Sequence, residues 1–357
     1  MNRKELLDIY SDYLVSAFGQ TTGTGLAALL EGSVSHDQVQ RFLAGPVLTS
    51  AELWPIVKPH VRAIQSEDGV IIVDDSIAEK PYTDENDIIC WHYDHAKGRA
   101  VKGVNLVSAL YHASSLSLPV AYSLVAKTET YLDKKDGKQK RRSPKTKNEP
   151  YQALLRQVVR HQIPFQFVLN DVWYASADNM KFIKHTLRKD FIMPIKSNRK
   201  VALTLAAKQQ GRFVPVATLD LEPRTILELY LESVDFPLVL VKQLFVNDDG
   251  SVGVQYLVSS DTTLTYDPLT TLYQKRWHVE PYHKSLKQNA SLEKSPTHTV
   301  TTQTNHLFAS LCAYIKLELL RRSTKLNHFA LKSKLYLQAI QVAFQALQQL
   351  QPVRLAA

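Results

Sequence analysis

Along the first 65 residues the apolar positions recur at helical spacing, with Leu6, Leu7, Tyr10, Tyr13, Leu14 and Ala17 on one stripe. The stretch "GTGLAALLEGSVSHDQVQRFLAG" then reads as an apolar helix, a Gly-Ser turn and a second helix. Ser35 and Gln38 form a capping box at its start, and Gly45 suits its far end. Two short helices across a tight turn predict a helix-turn-helix, with Gln38, Gln40 and Arg41 facing DNA, or else an ordinary helical hairpin. From residue 69 the period changes. "GVIIVDDS" has the pattern of a buried strand ending on two acids, and "VNLVSALYHA" and "LPVAYSLVA" continue an antiparallel meander. Helical "YQALLRQVVRH", strand "FQFVLND", helical "SADNMKFIKHTLRKD" with Ser176 as cap, and strand "FIMPIKSN" complete a mixed α/β sheet.

Residues 200–265 are β-rich, with a hairpin expected at Asp249-Gly250. A helix with Asp267 as N-cap and Pro268 in first position follows. Two amphipathic helices finish the chain, with Leu307, Leu311, Tyr314 and Leu317 near one face. The expected layout is a helical N-terminal domain (1–65), a core (66–199), a β-rich insertion (200–265), a returning core helix (266–300) and C-terminal helices (301–357).

Composition narrows the class. The 357 residues are 45% hydrophobic and 22% charged, as in an ordinary globular protein. A net charge of +9 favours a polyanionic partner. Two cysteines, Cys90 and Cys312, exclude a disulfide framework or a cysteine-rich zinc site and fit a cytoplasmic setting. The N-terminus has no signal-peptide core, and no apolar run is long enough to span a membrane.

The candidate chemistry lies in three acids. Asp171 ends an apolar strand, as does Asp75, with adjacent Asp74 the alternative; Glu280 comes from the later helix. Converging carboxylates repel unless a cation joins them, and oxygen ligands of this kind suit Mg²⁺. Two such ions can activate a hydroxyl and stabilise the leaving oxygen of a phosphodiester. In "YQKRWHVEPYHKSLK" the positions Tyr273, Arg276, Glu280 and Lys287 share a sector of about 60° if the segment is one helix. There the acid would hold metal while Arg276 and Lys287 hold phosphates.

The spacing Tyr-x2-Arg-x3-Glu-x6-Lys resembles the signature of one branch of bacterial insertion-sequence transposases of the DD-E type. Asp75-Ser76 is similar to that family's first aspartate and following threonine, and "VLNDVWYASAD" to the context of its second. The resemblance covers about 69–290 and implies an RNase H-like core, a mixed sheet with flanking helices and a β-rich insertion. It implies a metal site at Asp75, Asp171 and Glu280 for two Mg²⁺, with Mn²⁺ able to substitute, and DNA backbone contacts from Tyr273, Arg276 and Lys287. The implied activity is cleavage at the ends of a mobile element and joining of the 3′-hydroxyl to target DNA, by a homodimer on double-stranded DNA. A nuclease without strand transfer and an inactive DNA-binding descendant are the alternatives. Two features qualify the match: Pro281 after Glu280 predicts a kink or restart of the helix, and Val172-Trp173-Tyr174 stands where an Arg- and Glu-rich triplet is usual.

Other motifs add contacts. "DKKDGKQKRRSPKTKNE" carries eight Lys or Arg from Lys134 to Lys147 against one acid, Asp136. A flexible arm gripping DNA through Lys138, Lys140, Arg141, Arg142 and Lys145 is preferred to a solvated insertion. "CWHYDHAKGR" offers His92, Asp94 and His95 to zinc only weakly and reads as a loop beside the site, with Lys97, Arg99 and Lys102 near bound DNA. Trp91 and Trp173 can stack on bases, with packing as the default for each. No G-x-x-x-x-G-K-[ST] occurs, so no nucleotide cofactor is expected.

Overall fold

The computed structural model describes residues 1–350 except 96, 135, 223, 247 and 248, so Lys135 and residues 351–357 of the C-terminal segment lie outside the described residues. Four helices open the chain: α1 (Arg3–Ser16), α2 (Gly23–Leu29), α3 (His36–Ala44) and α4 (Ser50–Ile64). Then come β1 (Val70–Glu79), β2 (Cys90–Asp94), β3 (Arg99–Ala113), β4 (Leu116–Leu124), β5 (Glu129–Leu132), β6 (Gln139–Arg142) and α5 (Asn148–Arg160). β7 (Phe167–Asn170), α6 (Ala177–Lys181), β8 (Asp190–Ile195), β9 (Lys200–Ala202), α7 (Leu205–Gln209) and β10 (Val214–Pro215) follow. β11 (Ile226–Leu231), β12 (Leu238–Val246), β13 (Val252–Ser259), α8 (Tyr266–Gln274), α9 (Val279–Gln288), α10 (Val300–Thr324) and α11 (His328–Leu350) complete it. Among the described residues no helix is long and apolar enough to cross a membrane.

The chain divides into two compact units, one of residues 1–56, 78–104 and 281–357, the other of 57–77 and 105–280. In the first, α1 and α3 pack on the buried helix α10. Polar groups on α10 fix that packing. Tyr10 and His306 share a hydrogen bond of 3.0 Å, and Asn305 donates to the Leu43 carbonyl while accepting from Leu48 N–H, both at 2.8 Å. Ser35 and Gln38 form the expected capping box, with Gly45 as C-cap. The "CWHYD" stretch is strand β2 rather than a loop, paired antiparallel to the start of β3 from Cys90–Gly103 to Asp94–Arg99.

The second unit is built on a mixed sheet. Its central order is β4-β3-β1-β7-β8, with β1, β7 and β8 parallel and β3 antiparallel to β4. Val70, Ile71, Ile72 and Val73 of β1 are fully buried, as are Phe167, Val168 and Leu169 of β7. Runs apolar at every position are what strands covered on both faces require. This is the expected RNase H-like α/β arrangement. The β-rich insertion prolongs the same sheet, because β13 pairs antiparallel with β8 and β12 with β13.

Three local expectations change. The basic arm is a hairpin, β5 paired with β6 from Glu129–Arg142 to Leu132–Gln139. The helix expected to start at Asp267 starts earlier, with Thr265 at the cap position, while Asp267 in the first turn pairs with Arg224 at 2.7 Å. Nor is the signature segment one α-helix: a 3₁₀ turn, Lys275–His278, separates α8 from α9. Pro281 therefore sits in the first turn of α9, where a missing N–H is tolerated.

Candidate active site

The parallel register from Val70–Phe167 to Val73–Asn170 decides which acids meet. The next residues along the two strands are Asp74 and Asp171. Neighbours at one level of a parallel pair point to the same face, and the following residue to the other. Asp74 thus stands beside Asp171. Asp75, the acid expected here, is also close enough to raise Asp171, and both its oxygens carry hydrogen bonds: Oδ1 accepts from Tyr174 Oη at 2.7 Å and Oδ2 from Asn105 Nδ2 at 2.8 Å. Lys147 Nζ lies 3.6 Å from the same Oδ2.

The Asp171 side is held as firmly. Its Oδ1 accepts from Trp173 N–H at 2.9 Å, capping the 3₁₀ turn Val172–Tyr174. Asn170 Nδ2 donates to the Asp171 carbonyl and its Oδ1 accepts from Tyr151. The Tyr151 and Tyr174 rings stack with centroids 5.0 Å apart. Tyr174, Asn105 and Tyr151 were not anticipated as site residues. Their one sequence signal is their position beside the acids or in the apolar pattern of packed elements.

Arg276 supplies the opposing charge. Its Nη1 lies 3.8 Å from Asp74 Oδ2 and 3.5 Å from Glu280 Oε1, so one guanidinium spans the acid of β1 and the acid at the start of α9. The residue is 8% exposed, and its buried Nε has no hydrogen-bond partner. Burial, with the nearby Asp171 and Asp75 carboxylates adding to it, pushes the Asp74 carboxyl up to about 8; Arg276 opposes this only in part. Burial also raises Asp171, and Asp75 adds to it.

As the side chains stand, no three His, Cys or carboxylate groups among the described residues converge closely enough to hold an ion. Glu280 is half-exposed and turned to Arg276. The donor set nevertheless fits a hard divalent cation: two half-buried carboxylates close together, reluctant to ionise together, with a third acid linked to Asp74 through one arginine. The DDE superfamily endonuclease model matches residues 1–213, and the transposase DDE domain model matches residues 144–316. The chain belongs to the DDE superfamily. No curated protein matches it. It is accordingly a metal-dependent nuclease or transposase, and its partner is DNA.

The remaining predicted contacts of the transposase are placed as follows. Tyr273 is 3% exposed, and its hydroxyl donates to the Asn170 carbonyl at 3.4 Å, which braces the strand end. Lys287 belongs to the first unit and pairs with Glu293 at 3.6 Å. Lys102, half-buried opposite Trp91 on β2, lies in that unit too. Lys138, Arg142 and Lys145 are exposed, but Arg142 pairs with Glu129, and Lys140 with Asp133 and Asp136. Arg141 is half-buried and donates to the Lys127 carbonyl. Arg41 is exposed on α3, whereas Gln38 gives its Oε1 to the capping box. His92, Asp94 and His95 form no metal-holding group.

A carboxyl raised in the folded state holds its proton there while the unfolded chain has lost it. Its stabilising contribution is full below the unfolded value and disappears as pH rises through about 8 for Asp74. Metal-free protein should therefore lose stability between about pH 4 and 8, and Asp74→Asn should flatten that slope. Denaturant unfolding across this range measures it; an unchanged slope in the variant contradicts the buried, proton-holding Asp74.

Proposed function

We propose that the protein is a DNA transposase that binds the ends of a mobile element, cleaves phosphodiester bonds there and joins the freed 3′-hydroxyl to target DNA. The single observation that carries this reading is the placement of Asp74 beside Asp171 with the signature arginine, Arg276, spanning to Glu280. Asp74, Asp171 and Glu280 are the residues that would hold two Mg²⁺, with Asp75 as the bracing carboxylate beneath them. Divalent ions bound there would lower the pKa of an attacking water or hydroxyl and stabilise the departing oxygen.

The chain's own groups do the rest. Tyr174 and Asn105 fix Asp75 and with it the end of β1, while Asn170 and Tyr151 fix the turn at Asp171. Arg276 offsets the charge that the acids place on one another. In strand transfer the 3′-oxygen forms a bond to the target phosphorus as the target's P–O3′ bond breaks, so bonds are exchanged one for one and no nucleotide cofactor is required. The hairpin β5–β6, with Lys138, Lys145 and the remaining basic side chains, is read as a backbone grip, and Arg41 on α3 as a contact to element ends.

Joining needs two DNA ends in one complex, which favours a homodimer. Helix α11 supports that choice. From Leu335 to Leu350 it has no charged residue, and Leu337, Ile340, Phe344 and Leu347 lie exposed at alternating steps of three and four. Sedimentation with DNA should show a dimer that Ile340→Asp combined with Phe344→Asp converts to monomer; a monomer in the unsubstituted protein contradicts it.

Labelled DNA carrying the element's own ends, incubated with Mg²⁺, tests the chemistry. Wild type should cleave and join. Asp74→Asn and Glu280→Gln should lose both by at least about a hundredfold, a loss within the range of a transition-state stabiliser. Asp75→Asn should retain measurable cleavage, because it removes a brace rather than a ligand. Cleavage without joining would establish the nuclease reading instead, and binding without cleavage a DNA-binding descendant.

A further inference from the structure

The helices that lead into β1 and β7 bring positive charge to the rim of the sheet opposite the acids. On α4, Val57, Val61 and Ile64 are buried, which leaves Lys58 exposed and Arg62 half-buried one turn apart. On α5, Tyr151, Leu154, Leu155 and Val158 are buried, and Arg156 and Arg160 stand exposed at the same spacing. Like charges four residues apart on a helix repel. Neither helix supplies an acid beside them: none occurs between Glu52 and Glu67, or between Glu149 and Asp171.

Arg62 ties the two helix ends together. Its guanidinium donates to the His161 and Gln162 carbonyls, each at 2.8 Å, and to Gln65 Oε1 at 2.7 Å. His161 stands where the helices meet. Burial lowers its pKa, and the charges acting on it, those of Arg160, Arg62 and Lys58, are all cations that lower it further. Glu67 and Asp68, in the turn after α4, act on Tyr111 together with Arg62 and bound the patch on that side. The charge is thus gathered from two elements and braced by backbone contacts.

This patch and the acids lie at opposite ends of the same unit. Lys147, just before α5, reaches to 3.6 Å from Asp75. Arg160 closes that 13-residue helix, about 18 Å farther along its axis. Both β1 and β7 start at this rim and run toward Asp74 and Asp171. Duplex DNA has a persistence length of about 150 bp, so a short duplex held at the acids does not bend round the sheet to the other rim.

We infer that the rim opposite the acids is a second DNA surface, where Lys58, Arg62, Arg156 and Arg160 hold the phosphates of a duplex that is not being cut. The inference rests on the cleavage reading for its partner and adds a second place for that partner on the chain. Contacts from lysine and arginine to phosphate carry no sequence information, so this surface takes any duplex. One chain then holds a reacting end at the acids and a non-reacting duplex behind them.

The test uses the full chain without divalent metal, loaded with one equivalent of a short duplex carrying the element's end and titrated with a fluorescent duplex of random sequence. Wild type should take up the second duplex without releasing the first, with an affinity that falls steeply as salt rises. Lys58→Ala combined with Arg160→Ala should weaken the second duplex and reduce the slope of log affinity against log salt by about two, one for each cation lost. The first duplex should bind that variant as before and, once Mg²⁺ is added, be cleaved at the wild-type rate. A wild type that takes up only one duplex, or a variant that holds the second with unchanged affinity and slope, would overturn the surface and leave the cleavage reading standing. A second duplex that binds only when it carries the element's sequence would overturn it too, because phosphate contacts cannot select a sequence. Failure of wild type to bind either DNA would remove the cleavage reading and the surface together.

Discussion

The site depends on the parallel pairing of β1 with β7. Val70–Val73 of β1 and Phe167–Leu169 of β7 are apolar and fully buried, so core packing contributes to setting their register. Because they run in the same direction, an acid at the end of one meets an acid at the end of the other, and both leave the core at the same rim. A slip of one residue would bring Asp75 rather than Asp74 level with Asp171. Tyr174 and Asn105 oppose such a slip by occupying both oxygens of Asp75. The hydrogen bonds of the pair thus distinguish two adjacent, chemically identical side chains.

That arrangement is electrostatically unfavourable by itself. Asp74 and Asp171 lie half-buried with Asp75 close by, and desolvation and like charge both favour keeping a proton. Arg276 offsets part of this, reaching Asp74 and Glu280 from the 3₁₀ turn that links α8 to α9. The buried guanidinium in turn depends on Tyr273 and Trp277, whose rings lie 6.0 and 4.6 Å away. Three of the four signature residues therefore act on the acids or on their scaffold. The fourth, Lys287, is engaged with Glu293 in the other unit.

Much of this was legible in the sequence. The strands ending on acids, the Ser35–Gln38 and Ser176 caps and the buried face of α10 follow from local pattern, and local pattern is what folding preserved there. What could not be read depends on partners distant in the chain. Choosing between Asp74 and Asp75 needs the register against β7. The break at Lys275–His278 and the restart at Val279 are, by contrast, what Pro281 announces, since it lacks the N–H that a continuous helix would give to the Trp277 carbonyl. The basic arm reads as a loop because its charges hide an alternation that Glu129 and Asp133 complete across the hairpin. Trp173 looks like a core residue until β8 and the turn after it are placed, leaving its ring half in solvent.

The central claim is that Asp74 and Asp171, rather than Asp75 and Asp171, form the first metal-binding pair. Crystals of the protein soaked in Mn²⁺ and measured at the manganese absorption edge test it directly. The account predicts an anomalous peak within coordination distance of Asp74 and Asp171, with Asp75 still bonded to Tyr174 and Asn105. A peak on Asp75 and Asp171 with Asp74 unliganded would contradict it.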